Sequence, residues 1–281
     1  MKRAILIVSF GSSNLYAYKL VEKFINKIRE YIKEDVYIKY VFTSKILIKR
    51  MKEKNNIDIL SIEEALNDLL NIGCKEVLLQ PLHMMDGKDC DSLRSILETN
   101  KNNFNNIKLN PTLLTNKGSN TKESALNIVN AIKTKIDKER YVVLIGHGSN
   151  RCGDYCCYTP SETDKYTLPN NTCCNDDCYL EIEKAFKYIG YNNITIGTLE
   201  GNRTKEVIVK ELKSKNIKDI VLMPLLVLPG NHIVKDIKGD DSWESLFKEN
   251  NMTVEVILKG LLEYEEIQKL YIDMIIEAMV K

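Results

Sequence analysis

Neither sign of charge dominates this chain: 40 lysines and arginines face 39 aspartates and glutamates, for a net charge of +1. Such a balance gives no general attraction to nucleic acid or to an anionic membrane surface. Neither is expected as a partner, and an anionic ligand has to be met by a local basic patch. Long hydrophobic runs are also missing, since no stretch approaches the ~18 apolar residues of a membrane helix. The start, Met1-Lys2-Arg3-Ala4-Ile5-Leu6-Ile7-Val8-Ser9-Phe10, is basic and then apolar. It enters a Gly-Ser turn without a small-residue cleavage site, which reads as a first strand and not as a signal peptide. Walker A, G-x-G-x-x-G and nucleophile-elbow motifs are absent, which argues against a nucleotide enzyme. With 44% apolar and 28% charged residues among 281, the composition fits an ordinary soluble protein of one large or two modest domains. A cytoplasmic location is expected, and there the eight cysteines serve mostly as thiols or metal ligands, not as disulfides.

Histidine is scarce as well, with three in the whole chain, and all three follow short apolar runs. His147 ends Val142-Val143-Leu144-Ile145-Gly146, His83 follows Val77-Leu78-Leu79-Gln80-Pro81-Leu82, and His232 follows the run from Ile220 through Leu228. Each is expected in a turn at a strand end. Ligands of open parallel sheets bind outside the carboxyl ends of the strands, and imidazole is both a proton acceptor near neutral pH and the commonest metal ligand. The placement points to one cleft doing metal or proton chemistry.

The two halves echo each other. Ile5 to Ser13 aligns with Val142 to Asn150, and Val77 to Leu82, continuing to Asp89, aligns with Ile220 to Leu225, continuing to His232. In that register Phe10 matches His147 and Asp89 matches His232. Strand-like runs lie at 4–9, 36–42, 76–80 and 107–109, then at 141–145, 194–198, 219–223 and 253–258. Helical patterns lie at 16–32, at 61–70 with a capping box of Ser61 and Glu64, and at 124–136, 180–188, 204–213 and 263–279. The alternation predicts an α/β fold: two similar doubly wound domains with parallel four-stranded sheets, residues 1–118 and 119–281, and an active cleft between them. The last helix carries an apolar stripe (Ile267, Leu270, Tyr271, Met274, Ile275, Met279) that has to pack, with the first domain as its candidate.

Glu200, in Gly197-Thr198-Leu199-Glu200-Gly201, also ends a strand-like run. His147, Glu200 and His232 together make a mixed imidazole and carboxylate set suited to a first-row divalent ion with open positions. Asp89, in the first domain, is read either as a cleft carboxylate or as a helix N-cap, a favoured role for aspartate. Phe10, Ser12, His83, Met84 and Met85 are candidates for the cleft wall. Six cysteines crowd into about 150–178: Cys152, Cys156 and Cys157, then Cys173, Cys174 and Cys178. Thiolates in that number suggest an accessory metal site, Zn2+ or an iron–sulfur cluster, although the spacing matches no standard pattern. A disulfide-stapled loop is the alternative.

Taken in order, several segments resemble the class II tetrapyrrole chelatases, and among them the anaerobic cobalt chelatases acting on sirohydrochlorin. They are Ala4 to Ser12, Phe42 to Lys49, Gln80-Pro81-Leu82-His83 with Gly87, Gly146-His147-Gly148-Ser149, Gly197 to Gly201, Met223-Pro224-Leu225, Gly230-Asn231-His232, Gly239 to Trp243 and the final Ile267 to Tyr271. The resemblance implies two similar α/β domains with the tetrapyrrole lying in the cleft. It puts the metal ligands on His147, Glu200 and His232, with His147 also taking protons. Where that family carries glutamate, this chain has Asp89, one methylene shorter. The expectation is therefore a chelatase that inserts Co2+, its substrate metal, into anionic sirohydrochlorin in anaerobic cobalamin synthesis, with His147 as general base and Asp89 as a proton relay. Sirohaem ferrochelation and nickel insertion remain open, as does a metal chaperone or sensor built on the cysteine insert. The oligomeric state stays open, a homo-oligomer included.

Overall fold

The computed structural model describes residues 2–115, 120–148, 175–230 and 233–280. The chain forms two compact units, Met1–Leu113 with Glu265–Lys281, and Leu114–Tyr264. In unit one the apolar runs become parallel strands β1 (Arg3–Ser9), β2 (Val36–Phe42), β3 (Leu60–Ser61), β4 (Glu76–Pro81) and β5 (Asn106–Leu109), ordered β3-β2-β1-β4-β5. The expected four strands gain a fifth, because Leu60 and Ser61 pair with Val41 and Phe42 before the next helix starts. Between them run α1 (Leu15–Tyr31), α2 (Lys45–Asn55), α3 (Ile62–Asn71) and α4 (Lys88–Asn100). The C-terminal helix α9 (Glu265–Val280) belongs to this unit: Tyr271 packs edge-on against Phe24, and Asn110 Nδ2 donates to the Met274 carbonyl at 3.2 Å.

Unit two holds α5 (Asn120–Ile132), β6 (Tyr141–Gly148), α6 (Asn175–Tyr188), β7 (Ile194–Glu200), α7 (Lys205–Ser214), β8 (Asp219–Pro224), α8 (Trp243–Glu249) and β9 (Thr253–Val256). Its parallel sheet is ordered β7-β6-β8-β9. Strands covered on both faces need apolar side chains at successive positions. Ala4 to Val8 and Val142 to Ile145 are accordingly all buried at 2% exposure or less. The duplication extends to single hydrogen bonds. Leu82 N–H donates to Val8 O at 2.7 Å, and Leu225 N–H donates to Ile145 O at 2.8 Å. Val8 and Ile145, and likewise Leu82 and Leu225, are partners in the sequence alignment of the two halves.

The capping box read from the sequence is formed. Ser61 Oγ accepts from Glu64 N–H at 3.2 Å, and Glu64 Oε2 accepts from Ser61 N–H at 2.8 Å. The Ser61 backbone hydrogen bond holds the Glu64 carboxyl below its usual value. Ser61→Ala is expected to cost about 1 kcal/mol by urea unfolding at neutral pH. Because the folded value is depressed, the Glu64 share of the box is complete above the ordinary glutamate range and is lost as pH falls through the folded value.

Candidate active site

Two neighbouring strand ends of unit two carry the candidate ligands His147 and Glu200. β6 pairs with β7 in a register that runs Ile145↔Gly197, Gly146↔Thr198 and Gly148↔Glu200, and with β8 up to Ile145↔Pro224. The sequence placed His147 in a turn and Glu200 at the end of a strand-like run. The structure keeps both on strands, because β6 and β7 go on pairing three and two residues beyond the last apolar residue expected in each. Glu200 is the last residue of β7 and His147 the penultimate one of β6, and both side chains are exposed.

Small residues allow this. A Cβ on Gly146 would stand 2.4 Å from the Tyr179 ring of α6, and one on Gly197 would stand 2.2 Å from Trp243 of α8. Tyr179 and Trp243 are themselves buried, at 0% and 3% exposure, so aromatic side chains pack on the strands just before the exposed His147 and Glu200. Gly148 has φ +72°, and a Cβ there would lie 1.7 Å from the Glu200 carbonyl oxygen. Its missing side chain is what lets the ends of β6 and β7 meet.

His147 Nδ1 is 3.2 Å from the Gly148 carbonyl oxygen. The tautomer in which Nδ1–H donates there presents Nε2 as the acceptor nitrogen, the form that a metal ligand or general base requires. Glu200 adds a carboxylate one strand away. Mixed nitrogen and oxygen donors with open positions suit a first-row divalent ion, bound firmly enough to lose water and loosely enough to be passed on. His232 lies outside the described residues, as do Cys152, Cys156, Cys157, Cys173 and Cys174. The segment described as far as Gly230 leaves β8, on the other side of β6. Cys178 is buried at 0% within α6.

Unit one presents its own set at the carboxyl ends of β1 and β4. Phe10, just past β1, is 52% exposed, while Ser12 is buried and accepts from Asn14 N–H at 3.1 Å. Met84 is buried at 7%, and Met85 is half-buried. His83 Nε2 is 3.5 Å from Asp89 Oδ2, within ion-pair reach but without hydrogen-bond geometry. Asp89 is not the N-cap of α4. That position belongs to Gly87, and Asp89 sits in the first turn, where its charge favours the helix dipole. Arg94 pins the loop before the helix through Asp86 and also bonds Asp91 at 2.9 Å. Among the described residues no group of three or more His, Cys, Asp or Glu side chains is already gathered as a metal cage, and no helix is long and apolar enough to cross a membrane.

One residue missed by sequence reasoning is Arg203, which follows Glu200 by three positions and whose side chain turns back along β7 to Thr195 and Ile196. A charged residue after Gly201-Asn202 reads as a solvated turn, and no periodicity marks it.

Comparison with known proteins gives a consistent picture. The family model described as "Cobalt chelatase (CbiK)" matches residues 3–160 and 170–280, leaving out only the centre of the cysteine-rich segment and the chain ends. The sirohydrochlorin cobaltochelatase CbiKC of Nitratidesulfovibrio vulgaris is 25% identical over 99% of this chain and 91% of its own length. The sirohydrochlorin cobaltochelatase of Salmonella typhimurium is 22% identical over 99% and 97%. Among solved structures, SirB from Bacillus subtilis with Fe3+ superposes with a TM-score of 0.65 at 16% identity, covering 99% of this chain and 95% of that one. At that identity the likeness speaks for the fold.

Proposed function

The chain belongs to the cobalt chelatase family, and we propose that it inserts Co2+ into sirohydrochlorin, as a step of cobalamin synthesis. The observation that carries the reading is the pair of exposed ligands, His147 and Glu200, on the adjoining ends of β6 and β7. His232, after β8, is the third ligand in this reading. Co2+ is a substrate here, not a resident cofactor.

The reaction exchanges one divalent ion for two pyrrole N–H protons, so the site has two tasks. It replaces water on the incoming ion with side-chain donors, and it gives the protons a place to go. Glu200 and His232 hold the ion. His147, through its acceptor nitrogen, takes a proton from the ring as the metal–nitrogen bonds form, since imidazole exchanges protons near neutral pH. Asp89, beside His83, is the carboxylate proposed to relay protons from unit one. The exposed ring of Phe10 offers the apolar macrocycle a flat contact. The six thiols from Cys152 to Cys178 are read as an accessory soft-metal site, which elemental analysis of anaerobically purified protein tests directly.

Mixing the protein with sirohydrochlorin and Co2+, Fe2+ or Ni2+ and following the absorption spectrum tests the function and ranks the metals. Insertion with none of the three would overturn the reading in favour of a metal carrier. A second test separates the carboxylates. Glu200→Ala is expected to weaken Co2+ binding by more than the ~10–100-fold that loss of a supporting group costs, and Asp89→Ala by less. The reverse ranking, read by titration with Co2+ alone, would make Asp89 the ligand.

A further inference from the structure

Unit two buries two carboxylates that the proposed chemistry does not use. Glu183 on α6 is 8% exposed, and Glu211 on α7 is partly buried. Buried charges are costly unless paired and hydrogen-bonded. The group that pairs both is the Arg203 guanidinium, with Nη2 3.4 Å from Glu183 Oε2 and 3.3 Å from Glu211 Oε2. Nη2 also donates to Thr195 Oγ at 2.9 Å, and Nε donates to the Ile196 carbonyl. Thr195 Oγ in turn donates to Glu211 Oε1 at 3.1 Å, and Glu183 Oε2 accepts from Ile196 N–H at 3.2 Å. Burial alone would raise the Glu211 carboxyl, but hydrogen bonding from Lys215 and the charges of Lys215 and Arg203 hold it below its usual value. The cations around Glu211 thus outweigh its burial.

Arg203 also closes the turn that follows Glu200. Its backbone carbonyl accepts from Thr198 N–H at 2.9 Å, and the turn bends at Gly201, where φ is +114°. The segment 199–202 is thus fastened at its exit by a residue whose side chain runs back along β7 to α6 and α7. Nothing in the buried pairing of Glu183 and Glu211 by itself requires the cation to come from this turn. Supplying it from there ties the position of Glu200 to the rigid interior of the unit.

We propose that Arg203 is a positioning residue for Glu200, holding the metal-ligating carboxylate at the end of β7 before the ion arrives. The proposal rests on the reading of Glu200 as a ligand. Arginine suits the task because its planar fork reaches several acceptors at once, which a lysine ammonium on a flexible stem does not reproduce. Supporting groups of this kind typically contribute 10–100-fold to metal affinity.

The test uses the full chain and four variants, with Co2+ titration, KM for Co2+ and for the tetrapyrrole, and the unfolding midpoint of each. Arg203→Met is expected to weaken Co2+ binding and raise the KM for Co2+ by about tenfold or more while leaving the KM for the tetrapyrrole within about twofold. Arg203→Lys is expected to recover part of the loss. Ile182→Val removes a buried methyl group from α6 without removing any of these hydrogen bonds. It should lower the unfolding midpoint and leave Co2+ affinity within about twofold. If Arg203→Met fails to fold, its combination with Glu183→Gln and Glu211→Gln carries the same expectation, since it removes the two carboxylates Arg203 pairs and leaves only the half-exposed Lys187 and Lys215 without their partners. Unchanged Co2+ affinity in the Arg203 variants, with Glu200→Ala weakened, overturns the positioning role alone. Ile182→Val weakening Co2+ as much as Arg203→Met overturns it too, since the effect would then follow stability. Full Co2+ affinity in Glu200→Ala removes the ligand reading, and this proposal with it.

Discussion

His147→Ala is expected to abolish metal insertion while leaving unit two folded. The side chain is exposed at the end of β6 and adds nothing to the core. Its hydrogen bond from Nδ1 to the Gly148 carbonyl spans residues that the strand register already holds in place. Losing it costs about 1 kcal/mol at most, so the unfolding midpoint should shift by only a few degrees. The chemical loss is larger, because a positioned general base contributes ~10²–10⁴-fold and the same side chain is a proposed ligand to the incoming ion. The measurement is the initial rate of spectral change with sirohydrochlorin and Co2+, alongside a thermal melt. A rate within about threefold of the parent, under ~0.7 kcal/mol of barrier, would rule out the general-base role. A collapsed melt would mean that His147 supports the fold.

All the strands but the two-residue β3 were legible, because burial on both faces leaves little room for polar positions and each core strand reads as an apolar run. Helices were legible in proportion to what they bury. α1 and α3 bury residues at helical spacing and appear in the sequence, whereas α2 buries only Met51 and carries lysines around it. With so little apolar periodicity, α2 is set by its Ser44 cap and by the preceding strand. α8 is seven residues long and is held by two aromatic side chains, Trp243 and Phe247, too few to show a period. At the candidate site the identities of His147 and Glu200 could be read, since both end apolar runs. Their backbone could not. Gly146 and Gly148 look like turn formers, and only the register with β7 shows that they are there to let side chains and a carbonyl approach. The charges of Glu183, Glu211 and Arg203 gave no sign in sequence of meeting inside the unit, because pairing across α6, α7 and a turn follows from the fold and not from spacing.

That register underlies the second large effect. Gly148→Ala is expected to abolish Co2+ binding although Gly148 supplies no ligand. Two costs add at this position. Alanine at φ +72° pays the left-handed penalty of roughly 1–2 kcal/mol. The new Cβ would also lie 1.7 Å from the Glu200 carbonyl oxygen, an overlap that no side-chain rotation relieves because both partners are backbone. Either β6 or β7 must move, and the movement falls on the residues that carry His147 and Glu200. Gly73 isolates the first cost. It has nearly the same dihedral, φ +73°, but nothing stands within 4 Å of the place a Cβ would take there. Gly73→Ala should therefore lose only that left-handed cost of roughly 1–2 kcal/mol and keep full Co2+ affinity and insertion rate. Urea unfolding and Co2+ titration of the two variants side by side decide the matter. If Gly148→Ala matched Gly73→Ala in both measurements, the close approach of β6 and β7 would not be what sets the positions of the two candidate ligands.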